Sequence, residues 1–245
     1  MLKRKHIEFV AESPTAFGLG FGPRPAAQAR PSWYQRMSAR TQPDEQTHLV
    51  PAGNAWAPNA TVRMCVPFSD AMSLGYVAVL ESDVEVVPLQ DGGINVRWAT
   101  GRDLVSSHSE TQVPGMPAPA AEGSRPDVWK WLSEWRVYTP KGYSILFTHP
   151  LNRHDLPFQI MSGVVDTDTY RMAVQFPFQF IGSVTEPFVI ERGTPIAQII
   201  PFKRDDWRST TSQASEHEVK VDSIRYFGKV KRSYRQQYWA KKSYL

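Results

Sequence analysis

The sequence predicts a mainly β fold. Three observations carry that reading: apolar residues recur with a period near two from residue 61 onward, prolines are frequent, and aromatics are abundant. There are 20 Pro against 15 Gly, with 8 Trp, 9 Tyr and 12 Phe in 245 residues. Proline at this density breaks long helices and suits short strands joined by stiff turns. Hydrophobic residues make up 41% of the chain, enough for a sizeable core and too much for a wholly disordered protein. At roughly 100–200 residues per domain the chain is one domain with long extensions, or two small ones.

Residues 1–60 read as an extended N-terminal arm. Pro14, Pro23, Pro25, Pro31, Pro43, Pro51 and Pro58 deny it long helices and central strands, and only SWYQRMSA at residues 32–39 suits a short helix. Its aromatics, Trp33 among them, are expected to lie on the chain's own body or on a neighbouring subunit. From residue 61 the runs TVRMCVPF, GYVAVLES and DVEVVPL read as strands, with the Asp91-Gly92-Gly93 turn leading into INVRWAT as an antiparallel hairpin. Residues 106–126 form a polar, Pro- and Ala-rich loop. DVWKWLSEWRVYTP then alternates Trp129 and Trp131 as a strand, and GYSILFTHPL, QIMSGVVDTDTY and RMAVQFPFQFI follow as further strands. EPFVIERGTPIAQIIPFKR reads as a final strand pair around Arg192-Gly193. The body thus spans residues 61–208, and residues 209–245 form a C-terminal tail.

Charge is uneven. The net charge is +4 and the pI about 9.2, but after Asp222 no acidic residue occurs. Arg225, Lys229, Lys231, Arg232, Arg235, Lys241 and Lys242 follow instead, interleaved with Tyr226, Phe227, Tyr234, Tyr238, Trp239 and Tyr244. Cations with aromatics suit three partners: an acidic surface of another protein, nucleic acid, or the chain's own body. A protein partner is the preferred external one, with Trp33, Lys229, Lys231, Arg232, Arg235, Tyr238, Trp239, Lys241 and Lys242 as the candidate contacts. No run of about 18 apolar residues is present, so a membrane span is not expected. The basic opening MLKRK lacks an apolar segment behind it and does not read as a signal peptide. The single Cys65 excludes an internal disulfide and a cysteine-built zinc site, and points to a reducing cytosol or an assembly made there. Between Met64 and Val66 it reads as a buried thiol.

The sharpest local feature is Gly163-Val164-Val165-Asp166-Thr167-Asp168-Thr169-Tyr170-Arg171. Two carboxylates one residue apart at a strand end can serve as a base and its orienter, or hold a hydrated magnesium ion. The same pattern also makes a turn whose Asp side chains bond their own backbone. His149 and His154 flank Pro150 and Arg153, but their spacing is no recognised ligand geometry and no third ligand is evident, so no metal site is expected. Phe176, Phe178 and Phe180 read as core or interface.

GVVDTDTY, followed some twenty residues on by IERGTPIAQII, resembles the second half of the dUTPase and dCTP-deaminase superfamily, with the match strongest over residues 142–202. That resemblance implies an intertwined β-clip body that assembles as a homotrimer. It would place Asp166 where the family keeps its water-activating aspartate and Tyr170 where a ring stacks on the deoxyribose. The chain departs from the pattern at the phosphate site. Thr148-His149-Pro150-Leu151-Asn152 stands in place of the phosphate-holding Arg-Ser motif, and Pro150 removes a backbone donor. Val77 stands in place of the Asp after Gly-Tyr, Thr169 is inserted before Tyr170, and Gly228 is the single glycine after Gly193. The phrases VPFSDAMSLGYVAVLESDVEV, GYSILFTHPLNR and YWAKKSY are similar to a group of tailed-bacteriophage proteins with no assigned activity. The resemblance therefore implies a non-catalytic virion component, as capsid cement or decoration or as a neck or tail part. It would bind itself and other phage structural proteins such as the capsid protein, without a cofactor. The alternative is a dUTPase-like deoxynucleoside triphosphate pyrophosphatase using Asp166, Asp168 and Tyr170 with Mg2+.

Overall fold

The computed structural model describes residues 5–40, 60–108, 110–227 and 233–245. The N-terminal part contains β1 (Glu8–Ala11), α1 (Pro14–Gly18), β2 (Arg24–Pro25), α2 (Ser32–Arg36) and α3 (Val66–Ala71). Twelve strands follow: β3 (Tyr76–Val79), β4 (Val84–Pro88), β5 (Ile94–Trp98), β6 (Val105–Ser107), β7 (Trp129–Trp131), β8 (Trp135–Tyr138), β9 (Tyr143–Thr148), β10 (Phe158–Ile160), β11 (Gly163–Val165), β12 (Phe176–Phe180), β13 (Phe188–Ile190) and β14 (Pro195–Lys203). Helices α4 (Glu216–Phe227) and α5 (Ser233–Gln237) close the chain.

The fold is mainly β. Among the described residues all strand pairs are antiparallel and form four sheets, ordered β11-β9-β14-β3-β2, β10-β12-β7-β6, β13-β4-β5 and β1-β8, and none closes into a barrel. The chain divides into two units. One comprises Met1–Ala29 with Leu74–Arg204, and holds every sheet; the other comprises Arg30–Ser73 with Asp205–Leu245.

In the first unit, β14 lies between β9 and β3, and its first five residues are all buried. A strand covered on both faces needs a continuous rather than alternating apolar run, as in PIAQII. The polar exception, Gln198, is 1% exposed. Its amide accepts from the Leu151 N–H at 2.8 Å and donates to the Leu74 carbonyl at 2.7 Å, so the burial leaves it satisfied. Gly75, at the entry to β3, has φ +70°, and a Cβ there would strike the Ile199 carbonyl oxygen. A side chain at that position would push β3 off β14.

The second core is aromatic. Trp131 stacks on Phe178 at 4.3 Å between centroids, Phe158 meets both edge-on at 5.4 and 5.6 Å, and Phe180 meets Phe178 at 5.2 Å. Trp131, Phe158 and Phe178 are fully buried. The alternating tryptophans of β7 and phenylalanines of β12 face each other because those strands pair, Trp131 opposite Phe176 and Trp129 opposite Phe178.

Several expectations need correction. TVRMCVPF is not a strand: residues 62–64 form a 3-10 turn, and α3 follows with Pro67 in its first turn. Proline there has the helical φ and lacks only an N–H that a helix start leaves unused. Cys65, between the two, is exposed rather than buried. QIMSGVV breaks into β10 and β11, which belong to different sheets. β13 and β14 do not pair with each other: β13 joins β4, and β14 joins β3 and β9. The first 29 residues supply β1, which pairs with β8, and β2, which adds an edge to β3. The tail is partly helical, and Ser215 and Glu218 form a capping box at the start of α4: Glu218 N–H donates to Ser215 Oγ at 3.2 Å, and Ser215 N–H to Glu218 Oε2 at 2.8 Å.

Candidate functional site

The Asp166–Tyr170 segment leaves β11 as a tight turn. The Asp166 carbonyl accepts from the N–H groups of Thr169 at 3.0 Å and Tyr170 at 2.9 Å. Thr167 is the peg of that turn. Its side chain is fully buried and its hydroxyl lies 2.7 Å from that of Thr139.

With Thr167 turned inward, the two flanking carboxylates meet one guanidinium. Arg204, one residue beyond β14, donates from Nη1 to Asp166 Oδ1 at 3.1 Å and to Asp168 Oδ1 at 3.0 Å, and from Nη2 to Asp168 Oδ2. Asp168 Oδ2 also accepts the Gly142 N–H at 2.9 Å. Asp166 Oδ1 accepts the Ser144 hydroxyl at 2.6 Å, and Ser144 Oγ accepts from Arg204 Nη1 at 2.9 Å. The register explains why these groups meet. β9 begins opposite the end of β14, with Tyr143 across from Lys203, and β11 runs along the other edge of β9.

The electrostatics follow from the contacts. The hydrogen bond from Arg204, then that from the Gly142 N–H, hold the Asp168 carboxyl down at about 2, and the same pairing raises Arg204. The Asp168 side chain is 4% exposed, whereas that of Asp166 is 61% exposed. Tyr170 closes the turn through its backbone and leaves its side chain 43% exposed.

The structure therefore brings Asp166 and Asp168 together, and adds three groups not singled out from the sequence: Arg204, Ser144 and Gly142. Arg204 stands in the run PFKR, but only the pairing of β14 with β9 aims it at the turn. A general base needs a free lone pair directed at substrate. In this cluster Asp168 is spent on a guanidinium and a backbone donor through both oxygens, whereas Asp166 is tied through Oδ1 alone, to a hydroxyl and the same guanidinium.

His149 is likewise committed. Its Nε2 lies 2.8 Å from the Arg153 carbonyl, which can only accept, so Nε2 carries the proton. Nδ1 then accepts the Ile160 N–H at 3.4 Å. Burial pushes the ring's pKa down, so it is neutral near pH 7. Arg153 forks onto Asp155 at 2.8 and 3.0 Å. Among the described residues no group of three or more His, Cys, Asp or Glu side chains is placed to hold a metal ion. Val77 sits 3% exposed in the core of β3.

The tail contacts divide. Lys229, Lys231 and Arg232 lie outside the described residues. In the second unit, Trp239 Nε1 donates to Asp70 Oδ2 at 2.8 Å and Lys242 Nζ to the same oxygen at 2.7 Å. Arg235 lies over the Trp239 ring at 5.6 Å. Tyr238 and Lys241 are exposed, and Trp33 meets Tyr34 edge-on at 5.8 Å. Asp70, the acceptor on α3, was not expected from the sequence.

Among known families no model matches the chain, and no curated protein matches it.

Proposed function

We propose that the protein is a non-catalytic structural and interaction protein, a β-clip body of the dUTPase-like kind that assembles as a homotrimer. In this reading it is a component of a bacteriophage virion, as capsid cement or decoration or as a neck or tail part, made in the host cytoplasm. The observation that carries the non-catalytic reading is the tie of both turn carboxylates to Arg204, with Gly142 also on Asp168 and Ser144 also on Asp166 Oδ1. The β-clip reading draws on the placement of its two signature segments, GVVDTDTY and PIAQII. They run as β11 and β14 on opposite edges of β9. The assembly reading draws on the two unequal extensions and on Tyr238 and Lys241, which stay exposed beside the Asp70 anchor.

The alternative is a deoxynucleoside triphosphate pyrophosphatase with Asp166 as base, Tyr170 stacked on a sugar and Mg2+ on the phosphates. The exposure of the Asp166 carboxyl favours it. The donor set does not fit a resident magnesium ion, because the neighbouring carboxylate already carries a guanidinium that would repel the cation. Nucleic acid is a third partner class. Lys242 and Arg235, engaged with Asp70 and Trp239, are then less available for phosphates.

The assembly reading is tested by light scattering and particle incorporation. A homotrimer scatters as three times the 27.8 kDa chain; a clean monomer contradicts the β-clip trimer. Removing residues 229–245 is expected to leave that mass per chain count unchanged and to abolish incorporation into particles, and unchanged incorporation would end the docking role of the tail.

A further inference from the structure

Most of the described arginines in the first unit answer a carboxylate. Arg97 lies on Glu85, Arg102 on Glu81, Arg125 on Asp127, Arg136 on Glu12, Arg153 on Asp155, and Arg204 on Asp166 and Asp168. Arg24 and Arg192 do not. Neither guanidinium has an ion-pair or hydrogen-bond partner among the described residues, and both sit on one ring. The Arg192 guanidinium carbon lies 3.9 Å from the Phe21 centroid, and that of Arg24 lies 5.8 Å from it. We propose that Arg24 and Arg192 bind a phosphate dianion, free or as a monoester.

Backbone structure holds each member of the pair. Arg24 lies in β2, opposite Val77 of β3. Arg192 lies in the turn between β13 and β14. Its own N–H donates to Asp83 Oδ1 at 2.7 Å, and the N–H of Gly193 donates to the Leu80 carbonyl at 2.7 Å. Phe21 packs on the buried Ala26, Val77 and Val79, so the ring is anchored to the sheet while it carries the two guanidinium groups.

The chemistry of the contact selects the ligand. A guanidinium has five N–H donors in its plane and no acceptor. Its attraction to a ring face is electrostatic, through the ring quadrupole, and consumes none of those donors. The ring therefore places the charge and leaves the donor fork for a ligand, and that fork matches phosphate oxygens bidentately. Two forks call for more acceptors than the two oxygens of a carboxylate. A phosphate monoester offers three. Asp83 stands at the same turn, but it takes the Arg192 backbone N–H and forms no ion pair with either guanidinium.

Inorganic phosphate and methyl phosphate are the probes, titrated at constant ionic strength near pH 7 while the arginine Nε–H resonances are followed by NMR. Arg24→Gln and Arg192→Gln each identify one signal by its loss, and the remaining arginine signals report whether the variant is folded. The expected result is a saturable shift of both signals with a Kd of about 1 mM. Methyl phosphate bound at least as well as the inorganic ion assigns the site to an organic monoester; binding of inorganic phosphate alone assigns it to the free ion. Dimethyl phosphate, with one charge and two free oxygens, should bind about tenfold more weakly, and equal binding overturns the dianion. Each Gln variant should weaken the probes by about tenfold. Phe21→Leu, which keeps an apolar contact and removes the ring face, should weaken them severalfold. Arg97→Gln removes the same charge from an ion pair elsewhere and should change nothing. Signals that move without saturating, or an equal loss in Arg97→Gln, reduce the effect to general charge attraction and overturn the site. Unchanged affinity in Arg24→Gln and Arg192→Gln overturns it as well.

Discussion

Asp168 and Asp70 each fasten a distant part of the chain through a cation, and they do so with different strength. Asp168 uses both oxygens, taking a forked guanidinium and a backbone N–H, with its side chain 4% exposed. All its partners sit at the ends of paired strands. Asp70 offers one oxygen to an indole N–H and an ammonium, with its side chain 24% exposed and its partners on the C-terminal tail. A fixed fork loses little entropy on pairing, whereas a lysine on a mobile stem is screened and loses more. The comparison separates a weld inside the sheet unit from a clasp on the tail, although both consist of one aspartate and one basic residue.

The largest effect sets the scale for both. Trp131→Ala should cost about 3–5 kcal/mol in chemical unfolding, because it empties the fully buried centre of the aromatic cluster; a smaller loss would mean that Phe158 and Phe178 collapse into the space. Next comes the peg of the weld. Thr167→Val keeps the shape and removes the hydroxyl facing Thr139, and should cost about 1–2 kcal/mol.

Acid titration sharpens the contrast. The Asp168 carboxyl lies at about 2 in the folded protein, below its ordinary value of 3.8. Its contribution is therefore complete above the ordinary value and disappears as pH falls from about 4 through 2. Melting temperature should drop over that window in the wild type, and Asp168→Asn should flatten the drop while lowering stability at pH 7. An unchanged acid profile in Asp168→Asn would remove the weld.

The clasp should answer to a local probe. Asp70→Asn is expected to leave the global melting temperature nearly unchanged and to speed tryptic cleavage at Lys241 and Lys242 severalfold, since local opening governs cleavage there. Equal cleavage rates would show that the tail is held by something other than Asp70. Smallest of all is Asp166→Asn, whose exposed side chain keeps an oxygen for Ser144; it should shift stability by about 0.5 kcal/mol or less.

The sequence made part of this legible. Period-two runs located β3, β4, β5, β9 and β12, and the Asp91-Gly92-Gly93 turn between β4 and β5 closes as expected, with Gly93 N–H donating to Asp91 Oδ1 at 2.9 Å. TVRMCVPF at residues 61–68 is helical rather than extended because a short apolar run does not distinguish strand from helix, and Pro67 decides it from inside the first turn of α3. The α4 start was readable in Ser215-Glu216-His217-Glu218, a capping box that the charge pattern around it obscured. Arg204 was out of reach for a different reason. It lies 36 residues from Asp168, and nothing local predicts that β14 and β11 would flank the same strand. The Asp pair could be found from its pattern, but its occupation could not.

That occupation is the central claim, and turnover tests it most directly. Purified protein with Mg2+ and each deoxynucleoside triphosphate in turn should release no pyrophosphate above background, in the wild type and in Asp166→Asn alike. Release from dUTP or dCTP that vanishes in Asp166→Asn would contradict the account, since it would make Asp166, tied to Ser144 and Arg204 through Oδ1, a working base.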